Sequence, residues 1–238
     1  SAPTYSVVPD WSSTPTTSAI MYGVRGYGQA NNLQTPTVGI AAIVNRGGTL
    51  HRLLGGRITA MSFDLTAGKV ARMSIGLSFD SYEEGASAAS LPAITTYPSA
   101  IIQTLAPCYW GSTLVPYKSI KIDMRPKVVE VQSAAGTNGR GGMEVVEIDP
   151  MITIDPAWAP STWNSAFQAG TASELLVQIG GGYTSSGRPN AMCFHARRAQ
   201  INTAPTIVDD GGYLRNSVSM VALGSGSSGT YRWMLARC

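Results

Sequence analysis

Charge is scarce in this sequence. Lys, Arg, Asp and Glu together make up 13% of the 238 residues, against about a quarter in typical soluble domains. Charge is one of the usual protections of exposed strand edges, together with bulges and closure of the sheet. Because the patterns described below predict many strands, we expect a chain with so little charge to bury much of its surface against other subunits.

The sequence also lacks a clustered basic stripe and a long apolar run. Its formal net charge is +3, whereas a dedicated nucleic-acid binder usually concentrates Lys and Arg on one face. The basic residues Lys118, Lys121, Arg197 and Arg198 are interpreted as solvated strand positions. No segment approaches the length of a membrane span and no secretion signal opens the chain, so we expect neither insertion nor secretion.

Cysteine and histidine are few and not arranged for chemistry. Cys108, Cys193 and Cys238 show no metal-ligand spacing and cannot all pair with one another, so a reduced, cytosolic site of assembly is the simplest interpretation. His51 and His195 are the only histidines, and neither lies in a nucleophile or zinc motif. The sequence therefore predicts no catalytic residue, no metal site and no cofactor.

The strongest pattern present is an alternation between Gly55 and Ser78. Its period of two predicts an antiparallel hairpin that turns at residues 66–69, where Gly68 supplies the positive φ. One face is expected to pack on a core and the other to stay wet. The apolar face consists of the odd positions Met61, Phe63, Leu65, Ala71, Met73, Ile75 and Leu77.

Alternating segments recur along the rest of the chain and predict an all-β fold with one short flanking helix. The helix is expected to have Ser161 or Thr162 as its N-cap, to dock through Trp163 and Phe167, and to stop at Gly170. The other predicted strands span residues 119–124, 128–131, 143–148, 175–179, 192–201, 214–223 and 230–235. The first two of these are read as one strand interrupted at Arg125-Pro126, and Asp209-Asp210-Gly211 as a turn rather than a calcium site.

Composition divides the chain into an N-terminal arm and one domain. Pro, Thr, Gly and Asn dominate residues 1–45, and we expect a single β domain over residues 46–238. This domain carries an Ala- and Ser-rich insertion at about 83–107 and a loop with four glycines at 133–142.

Three stretches carry a resemblance to a known family. They are GGRITAMSFDLTAGKVARMSIGLSF, SIKIDMRPKVVEVQSAAGTNGRGGMEVVEIDPMITIDP and FHARRAQINTAPTIVDDGGYLRNSVSMVALGS. In this order they resemble the major tail tube protein of long, non-contractile-tailed bacteriophages. The N-terminal arm and the insertion depart from the pattern.

The resemblance implies a non-enzymatic structural protein of the virion. It implies a tail-tube-type β-sandwich or barrel whose strands join a ring-wide inner β-barrel, and hexameric rings that stack head-to-tail into a hollow tube. Double-stranded DNA would pass through the lumen into the host without specific binding. The other implied partners are the tape-measure protein, the tail terminator and the distal tail or baseplate proteins, with assembly in the host cytoplasm and no contact with a membrane.

Two sets of residues are assigned roles on this basis. The predicted lumen face comprises Ala60, Ser62, Asp64, Thr66, Arg72, Ser74 and Ser78. The predicted ring-stacking loop comprises Ala134, Gly136, Asn138, Gly139, Arg140 and Gly142.

Other functions stay open at this point. The chain could be another ring-forming tail or baseplate protein, such as a terminator or distal tail protein, or a capsid decoration protein. From a different class, it could be a carbohydrate-binding or hydrolytic β-domain whose five Trp and ten Tyr line a groove. No carboxylate pair with a defensible geometry supports hydrolysis.

Overall fold

The structure is a computed structural model. It describes residues 25–28, 40–46, 49–84, 101–132, 134, 140–157, 160–181, 191–224 and 232–237. Sixteen strands and one helix lie in these ranges, which confirms the prediction of an all-β fold with a single short helix.

The strands of the first half of the described chain begin with two short segments and a very long one. They are β1 (Arg25–Gly28), β2 (Ile40–Arg46), β3 (Thr49–Thr66), β4 (Arg72–Ser78), β5 (Ser81–Glu84), β6 (Cys108–Trp110), β7 (Thr113–Leu114), β8 (Tyr117–Asp123) and β9 (Pro126–Gln132). The second half comprises β10 (Arg140–Ile148), β11 (Met151–Ala157), α1 (Pro160–Gln168), β12 (Ala172–Ile179), β13 (Met192–Ile201), β14 (Thr206–Asp210), β15 (Tyr213–Ala222) and β16 (Trp233–Arg237).

Six strands form an antiparallel row in the order β4-β3-β8-β11-β15-β14. The order follows from residues that pair on both sides at once: Phe63 pairs with Met73 of β4 and with Ile122 of β8. At the other end, Asn216 of β15 pairs with β11 and with β14. The row therefore ends in β4 on one side and in β14 on the other.

A second group of strands folds over the first. Strand β13 joins β15 through only three residue pairs, from Ala199 to Ile201, and also pairs with β12 and β16. Strands β6 and β7 extend this group beyond β12, and β1 extends it beyond β16. The sheet is thus one hydrogen-bonded network whose two halves diverge at the junction of β13 and β15.

One hydrophobic core joins the two halves. In the six-stranded row it is built from alternate residues that face one another across the register, such as Phe63, Ile122, Ile152 and Met220. The second half contributes the same kind of alternate residues. They include Leu175, Val177, Ile179, Phe194, Ala196, Trp233 and Leu235. Period-two alternation in the sequence is therefore the direct cause of the core.

The helix docks on this core as predicted. Trp163 is 1% exposed and its ring lies 5.0 Å from that of Trp110, while Phe167 packs at the edge of the core. Gly170 has φ +61° and ends the helix, which confirms the predicted stop. The predicted N-cap is wrong: the helix begins at Pro160, because proline fits the first helical position, and Ser161 and Thr162 fall inside the first turn.

The interpretation of one strand interrupted at Arg125-Pro126 is wrong. Strand β8 ends at Asp123 and β9 begins at Pro126, and the two belong to different sheets, since β9 pairs with β10 in a separate hairpin. Arg125 adopts φ +45°, a conformation that turns the chain out of the main sheet. Apolar alternation continues across the break and conceals it in the sequence.

Several strands were not predicted, and all but β11 and β2 are five residues or fewer. Part of the predicted N-terminal arm lies in β1 and β2, which pair with β16 and β3. In the predicted insertion, residues 85–100 lie outside the described residues, and residues 101–107 pack against the domain through Gln103. Gln103 donates to the Tyr117 hydroxyl at 2.7 Å and to the Gln178 carbonyl at 2.8 Å.

Candidate assembly surfaces

The residues of the predicted lumen face lie together on one face of the β3–β4 hairpin. The predicted turn is confirmed, with Gly68 at φ +73° between the two strands. Ser62 pairs with Ser74 and Asp64 with Arg72, so these side chains point to the same side. Ala60, Thr66 and Ser78 follow by alternation along their strands. This face is opposite to the one that carries the buried Phe63 and Leu65.

Charges on this polar face alternate in sign across the strands. Asp64 lies directly between Arg72 of β4 and Lys121 of β8. On the next rung, Asp123 of β8 pairs with Ser62 and forms an ion pair with Arg125 at 3.8 Å. The same face continues onto β11, where Thr153 lies opposite Lys121 and Asp155 opposite Ser119. The polar face is therefore wider than the hairpin and nearly neutral, because its acids and bases neighbour one another.

The apolar face of the hairpin is only half buried. We expected all of its odd positions to pack on a core, and on β3 they do: Phe63 is 2% exposed. Its cross-strand neighbour Met73 on β4 is 52% exposed, and Ile75 and Leu77 are also exposed. The core of the subunit stops under β3, and β4 extends its apolar layer beyond it.

Strand β4 also has a free hydrogen-bonding edge in the described part of the chain. Within these residues β4 pairs only with β3. Just before it, Ala71 N donates to Ile101 O at 2.8 Å and Gln103 N to Lys69 O at 2.8 Å. Among the described residues, the edge is thus occupied up to residue 71 and has no partner over residues 72–78.

The opposite end of the six-stranded row has the same character. Ile207 of β14 is 68% exposed and Leu214 of β15 is 73% exposed. Ile207 pairs with Asn216, which alternates with the core residues Val218 and Met220 along β15, so Ile207 lies on the core side of the sheet. Leu214 lies on that side too, by the same alternation. Both ends of the row therefore carry uncovered apolar side chains on one face.

The turn between β14 and β15 is fixed by its two aspartates. Asp209 Oδ1 accepts from Gly212 N at 2.7 Å, which confirms the predicted turn. Asp210 forms ion pairs with Lys118 at 2.7 Å and Arg215 at 3.4 Å. The hydrogen bond from Lys118 lowers the pKa of Asp210, with the positive charges of Lys118 and Arg215 adding to it. The hairpin is thereby tied to β8.

A comparison with family models decides the wider identity. The model for the phage tail tube protein matches residues 7–222, a stretch that includes every described strand from β1 to β15. The chain belongs to this family. It is a structural component of a bacteriophage tail, as the resemblance implied. Comparison with curated protein sequences gave no match.

Only part of the predicted ring-stacking loop of this tail tube protein is described. Ala134 is exposed in a turn, and Arg140 and Gly142 belong to β10 rather than to a loop. Gly136, Asn138 and Gly139 lie outside the described residues. The hairpin that carries the loop is fastened to β3 near its loop end, where Arg57 Nε donates to Met143 O at 2.8 Å.

His195, Cys108 and Cys193 of this tail tube protein lie in strands of the second group, β13 and β6. His195 is buried in β13 and contacts the Glu174 carboxylate, in agreement with a packed strand residue. Cys108 is buried and Cys193 is partly exposed. Burial raises the pKa of Cys108 to about 12, so it is not a reactive nucleophile. The described residues contain no group of His, Cys, Asp and Glu that could hold a metal ion.

One cleft of about 460 Å³ opens between the helix and the β6–β7 turn. Its lining is neutral, with Trp110 and hydroxyl groups from Ser112, Thr113, Ser165 and Thr171 among its walls.

The one helix in the described part of the chain is not long and apolar enough to cross a membrane.

Sequence reasoning missed the exposed apolar residues at both ends of the row. Met73, Ile75 and Leu77 were assigned to a core because period two gives a face but not what covers it. Ile207 lies in a five-residue strand directly before the Asp-Asp-Gly-Gly turn. The pair Ile207-Val208 before that turn is the one signal that could have identified this strand.

Proposed function

We propose that this protein polymerises as stacked hexameric rings into the hollow phage tail tube, through which double-stranded DNA passes into the host. The observation that carries the proposal is that, within the described residues, the apolar side chains of β4 extend beyond the core of the subunit. Phe63 and Met73 are neighbours on one face, yet Phe63 is 2% exposed and Met73 is 52% exposed. A second copy of the chain is the natural cover for such a surface.

Burial of the exposed apolar side chains on β4 would contribute to the free energy of assembly. Complete burial of a large apolar side chain is worth about 1.5–3 kcal/mol, and Met73, Ile75 and Leu77 are each between two-fifths and about half exposed. Because low overall charge provides little protection of the sheet edge, covering it with another subunit also removes an aggregation site. A ring closes this edge in every copy.

In the proposed tube the polar face of the six-stranded row lines the lumen. The original set of Ala60, Ser62, Asp64, Thr66, Arg72, Ser74 and Ser78 is joined by Lys121, Thr153 and Asp155 from β8 and β11. Each Lys or Arg contact to a phosphate strengthens DNA binding through counterion release, and such contacts would repeat in every subunit. Neighbouring acids and bases on this face keep its net charge small, which favours passage over binding.

The β9–β10 hairpin is the proposed contact between rings, through Ala134, Gly136, Asn138, Gly139, Arg140 and Gly142. Deletion of residues 136–139 is expected to leave a folded, soluble subunit that does not form tubes. If the deletion variant forms tubes of normal length, the loop is not part of the contact between rings. The other proposed partners are the tape-measure protein, the tail terminator and the distal tail or baseplate proteins, with assembly in the host cytoplasm.

Electron microscopy of the purified chain tests the main proposal. We expect long, uniform tubes whose end views show six subunits around a hollow centre. Single rings that never stack would favour a terminator or distal tail protein instead. Monomers at millimolar concentration would contradict self-assembly altogether.

The lumen assignment has its own test. Ser62→Lys with Ser74→Lys is expected to allow tube formation but to slow DNA ejection from particles, most strongly at low salt. Asn164→Lys, on an exposed position of the helix, is the matched control and should leave ejection unchanged. If a cysteine introduced at Ser62 reacts with bulky reagents applied outside intact tubes, the polar face points outward and the assignment is wrong.

A further inference from the structure

The six-stranded row has two free edges, and they differ from each other. Strand β4 forms one end and β14 the other, and within the described residues each pairs with a single neighbour. Two different surfaces on one chain allow head-to-tail contact, in which every copy uses one edge of itself and the other edge of its neighbour.

The number of strands in the row decides the direction of pairing between copies. All five pairings along it are antiparallel, so β4 and β14 run in opposite directions. If copies stand side by side in one orientation, β4 of one copy is antiparallel to β14 of the next. The antiparallel hydrogen-bond ladder then continues from one copy into the next.

The side chains limit the register of such a ladder. Exposed apolar residues must meet on the core side, which requires odd positions of β4 to oppose odd positions of β14. Ile75 opposite Ile207 satisfies this condition and lies near the middle of both strands. The same register places Arg72 of β4 opposite Asp210 of β14, so opposite charges meet on the polar face.

We propose that β4 of one copy pairs with β14 of the neighbouring copy, with Ile75 opposite Ile207, and that this is the lateral contact within the ring. The inference rests on the proposed function, since it assigns the strands that close the ring. Pairing of β4 with β4 of a second copy is the main competitor. Such a contact would form a two-fold dimer and leave Ile207 and Leu214 uncovered in both copies.

Site-directed crosslinking tests the pairing in assembled tubes. Ile75→Cys and Ile207→Cys are placed in separate chains that also carry Cys193→Ser and Cys238→Ser, while the buried Cys108 is kept. The two chains are mixed, assembled and oxidised, and a disulfide-linked heterodimer is expected on a non-reducing gel. Combining Ser74→Cys with Ile207→Cys places the thiols on opposite faces and is expected to reduce the yield at least tenfold.

A second measurement covers the case in which a cysteine variant assembles poorly. Ile207→Lys alters a side chain that is 68% exposed in the subunit, so the melting temperature of the subunit should not change. Tube formation should be lost, because the charged side chain cannot be buried beside Ile75. Normal tube formation by Ile207→Lys would overturn the pairing.

The outcomes separate this inference from the function on which it rests. Wild-type tubes whose cysteine variants crosslink β4 to β4, or give no Ile75–Ile207 crosslink, would overturn the pairing and leave the tube assignment intact. If the wild-type chain forms no tubes under any condition, the proposed function and the inference fail together.

Discussion

Met73 and Phe63 offer a direct comparison, since they are cross-strand neighbours on one face with different surroundings. We expect Phe63→Ala to destabilise the subunit by about 3–5 kcal/mol, as is usual for a buried phenylalanine. Met73→Ala should have little effect on the isolated subunit, because about half of its side chain is already exposed. Its effect should appear only when subunits assemble.

The magnitude for assembly follows from the exposed fraction. Complete burial of a methionine is worth about 1.5–3 kcal/mol, and 52% of Met73 remains to be buried, so each subunit contact should lose roughly 0.8–1.5 kcal/mol. Since a tenfold change in an equilibrium constant corresponds to about 1.4 kcal/mol, the critical concentration for tube formation should rise roughly four- to tenfold.

Two assays separate the two effects. Urea denaturation followed by tryptophan fluorescence gives the stability of the subunit, and sedimentation of tubes over a dilution series gives the critical concentration. Ser74→Ala, on the opposite face of the same strand, is the control and should change neither. The prediction would be refuted if Met73→Ala destabilised the subunit as much as Phe63→Ala and left the critical concentration unchanged. Met73 would then belong to the core of the subunit and not to a contact between subunits.

Four further predictions concern the subunit itself. Trp163→Ala should lower the free energy of unfolding by about 3–5 kcal/mol, because Trp163 is 1% exposed and packs on Trp110. The control Thr162→Ala, at an exposed position, should lower it far less. Equal losses in urea titrations would mean that the helix is not anchored through Trp163. Tyr117→Phe should cost roughly 0.5–1.5 kcal/mol, since its hydroxyl accepts from Gln103 and donates to Ala106 O at 2.8 Å; an unchanged midpoint would show that this network is not stabilising. Cys193 should react with a thiol reagent much faster than the buried Cys108 in the native subunit and at the same rate in urea, measured in a Cys238→Ser background. The pKa of Cys108 in the folded state is raised from 9.0 to about 12. The stability that this shift contributes is complete below pH 9 and is lost as the pH rises towards 12. The free energy of unfolding of wild type should therefore fall relative to that of Cys108→Val over this pH range.

Period two was sufficient to locate the hairpin and its faces. Alternation from Met61 to Leu77 predicted two strands, a turn at Gly68 and the grouping of Ser62, Asp64 and Arg72 on one side. It could not show that the core ends under β3, because alternation describes a strand and not the layer above it. The exposure of Met73 is a property of the tertiary arrangement.

The misread segment at Arg125-Pro126 illustrates a different limit. The apolar alternation of β8 continues into β9, so the sequence resembles one strand with a proline bulge. The change of sheet depends on the backbone of Arg125 at φ +45°, and no glycine marks that position. The sequence also could not predict that the polar face extends onto Lys121 and Asp155, because this depends on which strands are neighbours in space.

Strand β3 has a mechanical consequence. At about 3.3 Å per residue, its 18 residues have a contour length of roughly 60 Å. Its first half pairs with β2 and β5, and its second half, after Gly55 at φ +68°, pairs with β4 and β8. A pull along the strand axis therefore loads the hydrogen bonds of a whole ladder in parallel, as in shear, rather than opening them one by one. A load applied at either end of this strand is distributed over both groups of pairings before any single one gives way.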